Sequence, residues 1–198
     1  MQPLCESMAA PLEITRIGGA ELLHCLEKHG KSEHGAIASQ YEKELTSGAD
    51  SVAALGVLAC GKLVGGLSYG VVPLANDMVS GRLDVVVSDA GCRGRGLGSL
   101  LVGAFIREMF ERFGERTQHF STVAMHPAVT RCVSALGFIA ADVGRNVPLY
   151  QTALDGKKRL ALVDGADKLV ARRLADLRMG CARCKSRRAS PWCQGATA

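Results

Sequence analysis

The chain of 198 residues is 47% hydrophobic, with a formal net charge of +5, which allows one sizeable core and a small appendage. No apolar run approaches the roughly 18 residues a membrane-spanning helix needs, so no membrane partner is expected. The charge is uneven: residues 1–155 hold 13 Lys/Arg against 16 Asp/Glu, whereas residues 156–198 hold 11 against 3, so the basicity belongs to the C-terminal stretch. Met1 to Ser7 lacks the basic patch and apolar core of a secretory signal, and the chain reads as cytoplasmic. In a reducing compartment Cys5, Cys25, Cys60, Cys92 and Cys132, which share no motif spacing, behave as small buried hydrophobes.

In chain order, residues 1–11 read as a leader. Leu12 to Ile17 alternates and predicts a strand. Gly18-Gly19 then turns the chain into a helix carried by Ala20, Leu22, Leu23 and Leu26, ending near Gly30. A second helix is predicted over Glu33–Leu45, with Ile37, Tyr41 and Leu45 four residues apart. Ser51–Cys60 and Lys62–Val72 form a predicted hairpin turning at Gly61, and Pro73–Asp77 is a loop. Arg82–Val87 reads as a central strand buried on both faces. A glycine-rich turn follows, then a helix to about Phe113, whose apolar stripe is Leu97, Leu100, Leu101, Ala104, Phe105 and Met109. A strand over Gln118–Met125, a short helix over Val129–Leu136 and strands over Phe138–Val143 and Val147–Leu154 complete the order β-α-α-β-β-β-α-β-α-β-β. This is an α/β (α+β) arrangement, a mixed sheet with helices on both faces and no internal repeat.

The stretch that carries chemistry is Arg93-Gly94-Arg95-Gly96-Leu97-Gly98-Ser99. A strand, a glycine turn and a helix N-terminus present bare backbone N–H groups to phosphate oxygens. Two other phosphate-binding patterns do not fit. The Lys-Ser/Thr ending of an ATP-binding loop is absent, and a dinucleotide fingerprint would need glycine where Ser99 stands.

That turn resembles the Arg/Gln-x-x-Gly-x-Gly/Ala motif of the GNAT superfamily of acyl-CoA-dependent N-acyltransferases. A second segment, His126-Pro127-Ala128-Val129 through Gly137-Phe138, resembles the superfamily's Asn-Pro-x-Ala…Tyr-x-x-x-Gly-Phe. The element order agrees over roughly residues 12–155. The resemblance implies a mostly antiparallel mixed sheet with a central splayed strand pair. It also implies acetyl-CoA as co-substrate and direct transfer of the acetyl group to a primary amine of a small molecule or peptide, with no metal expected. Three departures stand out: His126 replaces the Asn, Val133 replaces the Tyr that often serves as general acid, and Ala90 stands where Pro is usual.

On this resemblance the diphosphate of coenzyme A lies on the backbone of Gly94, Gly96, Leu97, Gly98 and Ser99, with Arg93 and Arg95 adding charge. Backbone N–H groups near Val86, Val87 and Ser88 polarise the thioester carbonyl. An amine of pKa about 10.4 pays about 4.6 kcal/mol to lose its proton at pH 7, and one near 8 only about 1 kcal/mol, so a base matters for the first. The candidates are Asp84, read as sharing a strand face with Val86 and Ser88, and His126. His126 has a second role open to it, bonding the pantetheine arm in place of the family's Asn. His29, Glu33 and His34 border the acceptor side and are candidates for substrate selection, with plain solvation as the alternative. Cys132 is one residue off the family position.

Residues 156–198 form a basic extension. Leu169, Val170, Leu174 and Leu177 predict a short helix over Asp164–Arg178, stopped by Gly180. The rest reads as a solvated basic tail. Cys181, Cys184 and Cys193 are one ligand short of a structural zinc site. Arg-rich segments can hold nucleic acid without specificity, so an RNA- or ribosome-associated acetyltransferase directed by the tail is one alternative. A non-catalytic acyl-CoA-binding regulator is the other, and a homodimer stays open.

Overall fold

Alternation along the first strand and the β-branched runs that follow build one seven-stranded sheet. The computed structural model describes residues 12–29, 52–59, 61–88, 94–123, 127–141 and 149–183; the predicted helix over Glu33–Leu45 lies outside them. The strands are β1 (Leu12–Ile17), β2 (Val52–Ala59), β3 (Lys62–Pro73), β4 (Val79–Ser88), β5 (Thr117–Val123), β6 (Ile139–Ala141) and β7 (Leu149–Ala153). Their order is β1-β2-β3-β4-β5-β7-β6. Every neighbouring pair is antiparallel except β4 and β5. The β2–β3 hairpin turns at Gly61, whose φ of +74° favours glycine.

A parallel pair cannot be joined by a tight turn and needs a crossover. Helix α2 (Leu97–Phe113) supplies it. Its apolar stripe is buried, with Leu97, Leu100, Leu101, Phe105, Ile106 and Met109 almost wholly out of solvent. Phe105 meets Tyr69 of β3 at 5.1 Å between ring centroids and Phe120 of β5 edge-on at 5.5 Å. Those rings come close because Gly81 on β4 has no side chain: a Cβ there would lie 2.9 Å from the Phe120 ring. Helix α1 (Gly19–His29) covers the opposite face. Its Leu22 is fully buried and fills the space over Gly66, where a Cβ would sit 2.9 Å from Leu22 Cδ1.

Helix α3 (Pro127–Ala135) ends in a left-handed glycine, Gly137 at φ +85°. The Phe138 N–H returns to the Val133 carbonyl at 3.0 Å, closing the cap. The last helix corrects the reading of the extension. Helix α4 runs from Gly156 to Arg183, 28 residues, longer at both ends than the short helix over Asp164–Arg178, and Gly180 lies inside it; the solvated tail expected beyond residue 183 lies outside the described residues. Two physical reasons extend it. Asp155 caps the first turn, its Oδ1 accepting the Lys158 N–H at 2.8 Å. Leu162 and Ala166 also prolong the buried stripe that continues through Val170 and Leu177. The stripe packs on α2 at Gly103, where a Cβ would meet Val170 Cγ2 at 2.9 Å and the Ala166 carbonyl oxygen at 3.3 Å.

The β4 reading is corrected in one respect as well. Leu83 is buried, but Arg82 is exposed, so the strand is not apolar on both faces throughout. No helix among the described residues is long and apolar enough to cross a membrane.

Candidate functional site

The first turn of α2 forms a glycine-lined cradle. Gly94 and Gly96 take φ of +74° and +89°, a region that strains any side chain. Gly96 is the N-cap and brings no side chain to the helix end. The first intrahelical bond is Leu100 N–H to the Gly96 carbonyl at 2.9 Å. The N–H groups of Leu97, Gly98 and Ser99 therefore have no partner within the helix and face outward at the positive end of its dipole. Arg95 is exposed beside them. Arg93, the other basic residue of the motif, lies outside the described residues.

Beside this cradle the sheet opens. Register pairs between β4 and β5 stop at Leu83↔Thr122, while β4 runs on to Ser88, still paired with β3. Among the described residues, the β4 stretch that includes Val86, Val87 and Ser88 forms no register pair with β5. Val86 turns toward the helix: its Cγ1 lies 3.6 Å from where a Cβ of Gly98 would be. The first turn of α2 and the end of β4 are therefore neighbours.

Asp84 is placed differently from the sequence expectation. Tyr69 pairs with Leu83 and Ser68 with Val85, so Asp84 is an extra residue in β4, a β-bulge. The bulge reverses the alternation. Leu83 and Val86, opposite Tyr69 and Leu67, share the α2 face, while Asp84 lies by Gly70 and Arg82, its Oδ2 3.5 Å from where a Cβ on Gly70 would be. Asp84 and Val86 do not share a face. Register is set by the partner strand, and no local pattern in β4 announces the inserted residue. The Asp84 side chain is only 7% exposed and accepts from Arg82 Nε at 2.6 Å and Nη2 at 3.4 Å.

On the other flank, Val133, which occupies the position of the family's Tyr, is wholly buried in the core. Its neighbour Cys132 looks instead toward the α2 N-terminus. Burial pushes the Cys132 thiol above its ordinary value, while the Ser99 hydroxyl within hydrogen-bonding reach and the nearby charge of Arg173 pull it back. Arg173, on α4, was not singled out in the sequence. Its signal was an arginine spaced with Ala166, Val170 and Leu177 along an otherwise apolar stripe.

Of the other candidates, His126, Glu33 and His34 lie outside the described residues, as do Cys184 and Cys193. His29 closes α1, and nothing is described of its side chain or of those of Val87, Ser88 and Cys181. Among the described residues no group of three metal-ligating side chains is found.

No family model and no curated protein matches the chain in sequence. Solved structures do match in fold. An acetyltransferase of the GNAT family from Streptococcus pneumoniae aligns at a TM-score of 0.53 and 18% identity, over 73% of this chain and all of that one. The PaiA N-acetyltransferase of Thermoplasma acidophilum, solved with coenzyme A, aligns at 0.55 and 12% identity, over 73% of this chain and 99% of that one. AtaTR bound with acetyl-CoA aligns at 0.58 and 15% identity, over 82% and 99%. The chain has the fold of the GNAT acetyltransferases.

Proposed function

We propose that the protein is an acyl-CoA-dependent N-acyltransferase that moves an acetyl group from acetyl-CoA to a primary amine by direct attack. The observation that carries this reading is the pairing of an uncapped helix start at Gly96 with a β4 edge that leaves β5 after Leu83. Structures of this fold bound to coenzyme A and to acetyl-CoA support it. Hydrogen bonds to a charged group are worth roughly 1.5–3 kcal/mol each. Three from Leu97, Gly98 and Ser99, less ordering costs, are of the size of the roughly −8 kcal/mol of a micromolar ligand.

In this mechanism the diphosphate rests on the α2 N-terminus and the pantetheine arm runs toward the free edge of β4. An N–H of that edge holds the thioester carbonyl and stabilises the oxyanion as the amine attacks. The nitrogen forms its bond to the carbonyl carbon, the C–S bond breaks, and the coenzyme leaves as thiolate. With a thiol pKa near 8.5, departure as thiolate at pH 7 costs about 2 kcal/mol, so the absence of a hydroxyl at Val133 is tolerable and water supplies the proton. Asp84 is the base we favour for an amine that arrives protonated, taking the proton directly or through water; His126 is the second candidate. The Arg82 ion pair fixes the orientation of the Asp84 carboxylate at the bulge.

The burial of Val133 favours one other reading, a regulator that holds acyl-CoA without turnover. Incubation with acetyl-CoA and a panel of amines, read by thiol release and by mass spectrometry, separates them. The transferase reading expects an acetylated amine. Tight acetyl-CoA binding with no thiol released for any amine would replace it with the regulator.

A further inference from the structure

Arg173 is held in an arrangement that its own helix does not explain. Its aliphatic stem lies against the glycine that opens α2: a Cβ on Gly96 would sit 2.8 Å from Arg173 Cδ and 3.0 Å from its Nε. That Nε is shielded from solvent and has no hydrogen-bond partner among the described residues. Nη1 is tied to Asp176, one turn along α4, at 3.3 Å. A guanidinium therefore stands at the N-terminal end of α2, where the helix dipole is already positive. The N–H groups of Leu97, Gly98 and Ser99, without a partner within the helix, belong to that same end. A buried N–H without an acceptor and a cation at a positive helix end are both unfavourable, and one anion between the two sets of donors relieves both.

Position follows from packing. Val170 and Ala166, one and two turns before Arg173, are locked on Gly103 of α2, and Arg107 of α2 pairs with Asp167 of α4 at 3.0 Å. The two helices run antiparallel, so the register that seats Ala166 and Val170 on Gly103 delivers residue 173 to Gly96. The planar fork of arginine suits phosphate oxygens, and a guanidinium already held by Asp176 gives up little freedom on binding.

We propose that Arg173 is a side-chain ligand of the acyl donor's diphosphate, brought to the cradle by the C-terminal helix, so that α4 completes the coenzyme site. This rests on the coenzyme reading of the α2 N-terminus given above. The test is calorimetric titration of coenzyme A into the wild-type protein and the variants Arg173→Gln, Arg173→Lys and Gly96→Glu, at low and high salt. Pantetheine, which lacks the diphosphate, is the control, followed by ligand-observed NMR. Arg173→Gln is expected to weaken coenzyme A binding at least tenfold and to flatten its salt dependence, leaving pantetheine unchanged; Lys restores part of the affinity. Equal or tighter binding by Arg173→Gln, or an equal loss for pantetheine, would overturn the role of Arg173 while Gly96→Glu still abolishes binding. Failure of the wild-type protein to bind coenzyme A, or undiminished binding by Gly96→Glu, would instead remove the cradle and the inference with it.

Discussion

Gly103 sits mid-helix in α2, where glycine costs about 1 kcal/mol relative to alanine, and its justification is the seat it makes for α4. A Cβ there would lie 2.9 Å from Val170 Cγ2, 3.3 Å from the Ala166 carbonyl oxygen and 3.5 Å from Leu169 Cδ2. The carbonyl is α4's own backbone, so it yields only if the whole helix moves. For Gly103→Ala, the gain of about 1 kcal/mol in helix propensity works against roughly 1–3 kcal/mol of overpacking, a net loss of about 0–2 kcal/mol. For Gly103→Val the propensity gain shrinks and two more methyl groups meet Val170 and Leu169, so overpacking wins by about 3 kcal/mol. In a chain of this size each kcal/mol lowers the melting temperature by about 2–4 °C. The Val variant is expected to melt about 6–12 °C below wild type in a circular dichroism scan, with Ala between. The same displacement carries Arg173 away from Gly96, so coenzyme A titrations should weaken in the order wild type, Ala, Val. A Val variant that melts within a degree or two of wild type would refute the packing of α4 on α2.

Gly96→Glu puts a side chain at φ +89° and a carboxylate among the phosphates; losing two charged hydrogen bonds predicts at least a hundredfold rise in the coenzyme A Kd, checked by titration. Asp84→Asn should slow acetylation of an amine of pKa near 10 by about 10²–10⁴-fold but an amine near 8 far less, in steady-state assays at pH 7. Equal slowing of both would remove Asp84 as the base. Tyr69 is fully buried, and its phenol accepts from Arg112 Nη1 at 3.2 Å and donates to Glu108 at 3.3 Å. Burial pushes its pKa above the ordinary 10.0, with the Arg112 bond opposing. The folded state thus keeps a proton the unfolded chain releases, so this contribution is complete below pH 10 and fades as pH rises past it. Urea unfolding between pH 9 and 11.5 should show a steeper loss for wild type than for Tyr69→Phe.

Much of the fold was legible because it is written locally. Alternation marked β1 to the residue, Gly61 marked the hairpin, and the Leu97–Met109 stripe marked α2. The glycine turn ahead of α2 was legible for the same reason: glycines at 94 and 96 between a β-branched run and a helical stripe leave few conformations. The bulge at Asp84 was not, since it exists only relative to β3, and with it went the expected face of that side chain. Helix α4 was under-read because Gly156, Gly165 and Gly180 and a dense scatter of charge mask the stripe Leu162, Ala166, Val170 and Leu177, which becomes apolar surface only once α2 is there to receive it. Arg173 stayed hidden for the same reason. Its meaning depends on Gly96, 77 positions earlier in the chain, and on the register that Gly103 sets.

A crystal structure with acetyl-CoA tests the central claim most directly. Diphosphate oxygens are expected within hydrogen-bonding distance of the Leu97, Gly98 and Ser99 N–H groups, with the thioester against the β4 edge beyond Leu83. A coenzyme bound in another cleft, with the first turn of α2 bare, would contradict it.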